Sequence, residues 1–107
     1  MNIEKIEFAW NKAYQAFPLS RMTDEMDEFL NSPALSPFHN SQHWVYLSSQ
    51  VIRLKREREE LPLYFPQELP GMVYGMLSNA WYLLLKEIKD ANDTDPNRIG
   101  NITRERP

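Results

Sequence analysis

The chain contains no cysteine, which excludes disulfide bridges, thiolate nucleophiles and zinc sites built on cysteine. Glycine is nearly as scarce, with only three among 107 residues, and neither a Walker loop nor a G-x-G-x-x-G sequence occurs. No serine stands in the G-x-S-x-G setting of a nucleophile elbow. We therefore expect a protein that is not an enzyme and that holds no cofactor.

Strong net charge and long hydrophobic runs are also missing. Twelve basic and fifteen acidic residues leave a net charge of -3, which gives no reason to expect broad affinity for nucleic acids or anionic membranes. The most apolar window, Met72 to Leu85, is shorter than the roughly twenty residues that cross a bilayer. The first residues lack the basic and apolar parts of a signal peptide. We expect a soluble, cytoplasmic protein with no membrane partner.

What the chain does have is ordinary globular composition, with 42% hydrophobic and 25% charged residues. Its length suits one domain. Apolar residues recur at helical spacing over residues 1–91, whereas residues 92–107 are polar and rich in turn-forming types. We predict an all-α fold, a small helical bundle of three substantial helices and one short helix. A single domain would cover residues 1–91, and residues 92–107 would form a flexible C-terminal tail.

The first helix is predicted from an apolar stripe that Pro18 ends, because the residue before a proline is pushed out of the α conformation. A second, short helix is predicted to begin at Thr23, whose hydroxyl suits an N-cap and which precedes Asp24 and Glu25. The stripe residues are Ile3, Ile6, Trp10, Ala13 and Phe17 in the first helix, and Met26, Phe29 and Leu30 in the second.

Two starts remain open for the third helix, which then runs to about Glu60. Ser36-Pro37 offers an N-cap followed by a proline in the first turn, while Asn40 or Ser41 offers a later N-cap. The stripe of this helix is Trp44, Leu47, Val51 and Leu54, widened by Val45, Ser48 and Ile52.

The fourth helix, predicted from Leu69 or Pro70 to Ala91, is the most hydrophobic element of the chain. Its apolar residues cover much of the helix circumference, so it should be central in the bundle or covered by another chain. A homodimer through the Met72–Ile88 part of this helix is one prediction.

Two glycines near the start of the fourth helix suggest close packing. Gly71 and Gly75 lie four residues apart and, with Asn79, would form a flat strip that lets another helix approach. The alternative assigns Gly71 to the preceding turn and leaves only Gly75 in the helix.

The proline-rich connector Leu61–Pro70 carries more apolar residues than a link between two helices needs. Its three prolines rule out a continuous helix or a central strand. Its leucines, tyrosine and phenylalanine either cap the core or meet a partner. The candidate partner-binding residues are Leu63, Tyr64, Phe65, Leu69 and, from the end of the third helix, Arg56.

Two histidines, His39 and His43, offer a weak alternative. At i and i+4 on one helix they would share a face, which is the spacing of two-histidine metal sites. No third ligand is marked by the sequence. The competing interpretation places His39 at a helix start and His43 on the surface, and this interpretation is favoured.

The basic residues Arg53, Lys55, Arg56 and Arg58 are the weak candidates for nucleic-acid contact. Glu57, Glu59 and Glu60 stand among them, which is unusual for a DNA-binding helix and typical of a solvated face with local ion pairs. We do not expect nucleic-acid binding.

These observations favour a small protein-binding regulator over a catalyst. It would occupy the surface of a protein partner, as inhibitors, adaptors and phage- or plasmid-encoded regulators do. Trp10, Trp44 and Trp81, one in each long helix, either fill the core or provide an exposed hot spot.

Overall fold

The structure is a computed structural model that describes residues 2–93. It is all-α, and no strand occurs in this part of the chain, which confirms the predicted helical bundle. The helices are α1 (Ile3–Tyr14), α2 (Leu19–Leu30), α3 (Gln42–Glu60) and α4 (Gly71–Asp93), with short 3₁₀ segments at Pro33–Phe38 and Pro62–Tyr64.

The four helices close around one apolar core. α1 packs on α2, α2 on α3 and α3 on α4, while tryptophan stacking joins α4 back to α1. Each helix places one stripe inside because its apolar residues recur every three to four positions. The core residues from the four helices and the first 3₁₀ segment are Ile6, Trp10, Ala13, Leu19, Met22, Met26, Phe29, Leu30, Leu35, Phe38, Leu47, Val51, Leu77, Ala80, Trp81, Leu84 and Ile88.

Aromatic rings form the centre of the bundle. The rings of Trp10 and Trp81 stack with centroids 4.9 Å apart, and Phe29 meets Trp81 edge-on at 5.5 Å. Trp44 is only half-buried, and its indole Nε1 donates a hydrogen bond to the Leu30 carbonyl at 2.8 Å. Two of the three tryptophans therefore fill the core, and the third caps the end of α2.

The boundary between α1 and α2 differs from the prediction. α1 already ends at Tyr14, and Phe17 lies beyond it with 56% of its surface exposed. α2 begins at Leu19, so the predicted start at Thr23 is wrong. Thr23 lies within α2, and its side chain is fully buried in the bundle. Its hydroxyl donates a hydrogen bond to the Leu19 carbonyl at 2.8 Å. α2 is consequently as long as α1, with twelve residues in each.

The later of the two proposed starts for α3 is the one observed. Ser41 is the N-cap, and its hydroxyl oxygen accepts hydrogen bonds from the backbone N–H groups of His43 at 3.1 Å and Trp44 at 3.4 Å. The alternative start at Ser36-Pro37 is wrong, because this sequence lies in the 3₁₀ segment instead.

α4 begins and ends slightly later than predicted. Gly71 is its first helical residue, so it does not belong to the preceding turn, and Asn92 and Asp93 belong to the helix and not to the predicted tail. The remainder of the predicted tail lies outside the described residues. Within residues 2–93, no helix is both long enough and apolar enough to cross a membrane.

Candidate interaction surface

The connector between α3 and α4 exposes three apolar side chains. Leu63 is 92% exposed, Tyr64 81% and Leu61 57%. Leu63 and Tyr64 lie in the 3₁₀ segment, which a hydrogen bond from the Tyr64 N–H to the Leu61 carbonyl closes at 3.0 Å. We call these three residues the connector patch.

The other predicted contact residues of the connector face inward. Phe65 and Leu69 are partly buried and pack against the core. They hold the segment on the bundle, whereas Leu63 and Tyr64 point away from it. Arg56 is exposed near the end of α3. Of the five predicted residues, Leu63, Tyr64 and Arg56 are therefore exposed to a partner. The other two, Phe65 and Leu69, pack on the core and support the segment.

Hydrogen bonds attach the connector to the neighbouring helices. The Gln67 carbonyl accepts from the Leu19 N–H at 2.6 Å, which ties the connector to the start of α2. The Leu69 N–H donates to the hydroxyl of Tyr74 at 3.4 Å, and the hydroxyl of Tyr14 donates to the Tyr74 carbonyl at 3.0 Å. Helices α2 and α4 therefore bond to this segment directly, and α1 bonds to the same tyrosine of α4 that contacts it.

A second apolar surface lies along α3 and α4. A groove of about 310 Å³ between these helices is lined by His43 and Tyr46 of α3 and by Met76 and Leu83 of α4. Met72, one turn before Met76, is 79% exposed. An added Cβ on Gly71 or Gly75 would meet nothing within 4 Å. No other described element therefore packs against the glycine strip, which remains open.

A third surface, the α1–α2 groove, was missed by the sequence reasoning. It has a volume of about 740 Å³, and Ile6, Ala9, Ala13 and Phe29 are among its apolar lining residues. In the sequence, only the small side chains of Ala9 and Ala13 could have indicated this groove, because they leave space between paired helices.

The two histidines do not share a helix face. His39 precedes α3, and its Nε2 lies 3.2 Å from the Leu30 carbonyl while its ring contacts Trp44, with centroids 4.2 Å apart. His43 lines the α3–α4 groove. Among residues 2–93, no three side chains of the metal-binding types come together in a group that could hold an ion.

Half of the basic segment of α3 is neutralised by α2. Lys55 pairs with Asp27 at 3.0 Å, and Arg58 pairs with Asp24 at 2.9 Å. Arg53 is exposed and, like Arg56, forms no ion pair with any described residue. These contacts give Lys55 and Arg58 a role in joining two helices, which reduces the charge available for a nucleic acid.

Comparison with known proteins adds no relative. No protein-family model, no curated protein and no solved structure matches this chain.

Proposed function

We propose that this protein is a small regulatory domain that acts by occupying the surface of a protein partner through the connector patch. The observation that carries the proposal is the exposure of Leu63 and Tyr64, which are 92% and 81% accessible at the tip of an anchored segment. Large apolar groups gathered on one exposed segment are typical of interaction sites. The proposal includes a cytoplasmic location, which cell fractionation would check.

The parts of the connector suggest distinct roles in such a contact. Tyrosine is among the residue types that contribute most binding energy at interfaces, and here Tyr64 has an apolar neighbour in Leu63. Phe65 and Leu69 would keep the backbone in place by packing on the core. Arg56, exposed on α3, would lie at the polar rim and guide the approach of an acidic surface.

The test is site-specific crosslinking in the cells that produce the protein. A photoreactive amino acid at position 63 should crosslink to a defined partner, and the same group at position 45, where Val45 is 49% exposed on α3, should not. Affinity capture with Leu63→Ala/Tyr64→Ala should lose that partner, while capture with Val45→Ala retains it. All three side chains are exposed, so circular dichroism should show unchanged helix content.

Two results would reject the proposal. One is capture of the same partner by the wild type and the Leu63→Ala/Tyr64→Ala variant. The other is a crosslink pattern that does not differ between positions 63 and 45.

A homodimer through α4 is the second candidate, and the exposed residues of this helix favour it. Met72 is 79% exposed, Tyr82 62%, Met76 44% and Leu83 39%. Burying such side chains against a second copy would remove apolar surface from water, at about 25 cal/mol for each Å².

Sedimentation equilibrium would test the dimer. Met76→Lys should shift a dimer to monomer, because the charge would be buried at the interface, while Phe8→Lys should leave the assembly unchanged. A wild-type chain that sediments as a monomer at high micromolar concentration would exclude this candidate without affecting the connector proposal.

A further inference from the structure

The α1–α2 groove has rims of opposite charge. Lys5 and Lys12 border it on the α1 side, and Glu25 and Glu28 border it on the α2 side. None of the ion pairs within the described chain joins one rim to the other. Glu25 pairs instead with Arg21 of its own helix, at 2.8 Å. Glu25 is thereby neutralised, so the negative charge of the α2 rim comes from Glu28, opposite the two lysines of the α1 rim.

The length of the groove suits a helix. Lys5 and Lys12 are seven residues apart, which is two helical turns or about 10 Å. Ala9 lies between them, and its short side chain leaves room for a docked helix at the bottom of the groove. Phe29 contributes an aromatic surface from α2. An amphipathic helix that docks in a groove uses anchors at i, i+3 or i+4, and i+7, and these cover the same distance of about 10 Å.

We propose that the α1–α2 groove binds a short amphipathic helix of a partner protein. Apolar residues of that helix rest on Ala9 and Phe29, its acidic flank lies over Lys5 and Lys12, and its basic flank lies over Glu28. Because the two rims differ in sign, only one direction of the bound helix brings opposite charges together. The site does not depend on the connector patch and is a separate binding surface.

The test is selection from a displayed library of helical peptides with leucine fixed at i, i+4 and i+7. Positions on the two flanks are randomised among Asp, Glu, Lys, Arg and Ser. Selection uses the full chain, with counter-selection against Ala9→Phe, which fills the floor. The peptides enriched should carry acidic residues on one flank and basic residues on the other. Isotope-edited NMR should place their contacts on α1 and α2.

Charge reversal provides the decisive control. Lys5→Glu/Lys12→Glu makes both rims acidic, so it should bind the selected peptides about tenfold more weakly and should itself select peptides that are basic on both flanks. Arg53→Glu/Lys86→Glu changes the net charge by the same amount at exposed positions outside the groove and should bind as the wild type does. If Ala9→Phe does not fold, Lys5→Glu/Lys12→Glu takes its place as the counter-selection variant.

Three outcomes would overturn the proposal. The first is no enrichment on the wild type over the counter-selected variant. The second is equal binding of the selected peptides by the wild type and Lys5→Glu/Lys12→Glu. The third is self-association of the wild type that Ala9→Phe abolishes without any peptide enrichment, which would assign the groove to a second copy of the chain.

Discussion

Trp10 and Trp81 stack across the bundle with their ring planes only 13° apart, although they lie on its first and last helices. Both are at least nine-tenths buried, at 3% and 6% exposure. Together with the edge-to-face pair of Tyr14 and Tyr74, this contact joins α1 to α4 and closes the ring of helices.

The first prediction concerns this pair. Trp10→Leu and Trp81→Leu should each destabilise the fold, because leucine removes the ring and keeps an apolar side chain in the core. The double-mutant cycle should give a coupling of about 0.5–1.5 kcal/mol. Urea unfolding followed by far-UV circular dichroism measures these values. Leucine is preferred to phenylalanine, which would keep an aromatic ring at the contact, and to alanine, since truncation to alanine costs about 3–5 kcal/mol and threatens the whole stability of a small domain. Additive single effects would mean that the stacking itself contributes nothing.

The second prediction concerns Arg58, which joins the end of α3 to the start of α2. Its guanidinium binds Asp24 at 2.9 Å and the Ser20 carbonyl at 2.8 Å, and its side chain is 24% exposed. Arg58→Ala should therefore lower the free energy of unfolding by about 1 kcal/mol, a value reduced by solvent screening. Arg56→Ala, two positions earlier and exposed, is the matched control and should change it by less than about 0.5 kcal/mol. Equal effects of the two substitutions would contradict the structural role of Arg58.

The third prediction concerns the N-cap of α3. Ser41 accepts from two backbone N–H groups, and its hydroxyl also donates to the Glu87 carboxylate of α4. Ser41→Ala should cost about 1 kcal/mol of stability. Ser49→Ala removes a serine hydroxyl from the exposed side of the same helix and should cost less than about 0.5 kcal/mol. Thermal or urea unfolding of both variants under identical conditions measures the difference, which reports the cap and the bond to Glu87 together; equal losses for the two variants would contradict the prediction.

The fourth prediction concerns Gly75, which lies inside α4 with free space around its missing Cβ. Gly75→Ala should stabilise the isolated chain by about 0.5–1 kcal/mol, because alanine loses less backbone freedom in a helix. Urea unfolding at low protein concentration measures the gain. If the wild type gains stability as the protein concentration rises and Gly75→Ala does not, the added methyl group interferes with a second copy on this face, as the dimer candidate requires.

Much of the core was predictable from local sequence. Ile6, Trp10 and Ala13 are buried where the stripe of α1 places them, as are Leu47 and Val51 in α3. A helix repeats every 3.6 residues, so the spacing of apolar residues identifies the face that turns inward without knowledge of the partner helix.

The start of α2 was not predictable in the same way. A threonine followed by acidic residues is typical of an N-cap, yet Thr23 lies one turn inside the helix. There its hydroxyl donates a hydrogen bond to the Leu19 carbonyl, and this local bond offsets the cost of burying the hydroxyl. The choice between these two positions depends on the packing of Leu19 and Met22 in the core, which only the folded bundle determines.

The candidate site was only partly predictable. The apolar character of the connector is visible in the sequence, but prolines remove the periodicity that would separate Leu63 and Tyr64 from Phe65 and Leu69. The orientation of these side chains follows from contacts with residues far along the chain, among them Leu19. The α1–α2 groove likewise exists only once two helices lie side by side.

The attachment of the connector at both ends has a consequence for the entropy of binding. After Tyr64, the connector backbone is hydrogen-bonded to Leu19 and to the Tyr74 hydroxyl. Before Tyr64, the 3₁₀ segment follows directly from the end of α3. Ordering a free backbone costs about 1–2 kcal/mol for each residue. Here the connector backbone is already ordered when the bundle folds, so binding does not add this cost. A partner would restrict only the side chains of Leu63 and Tyr64. An excised peptide of residues 61–70 would carry the same side chains, yet it should bind far more weakly than the intact chain.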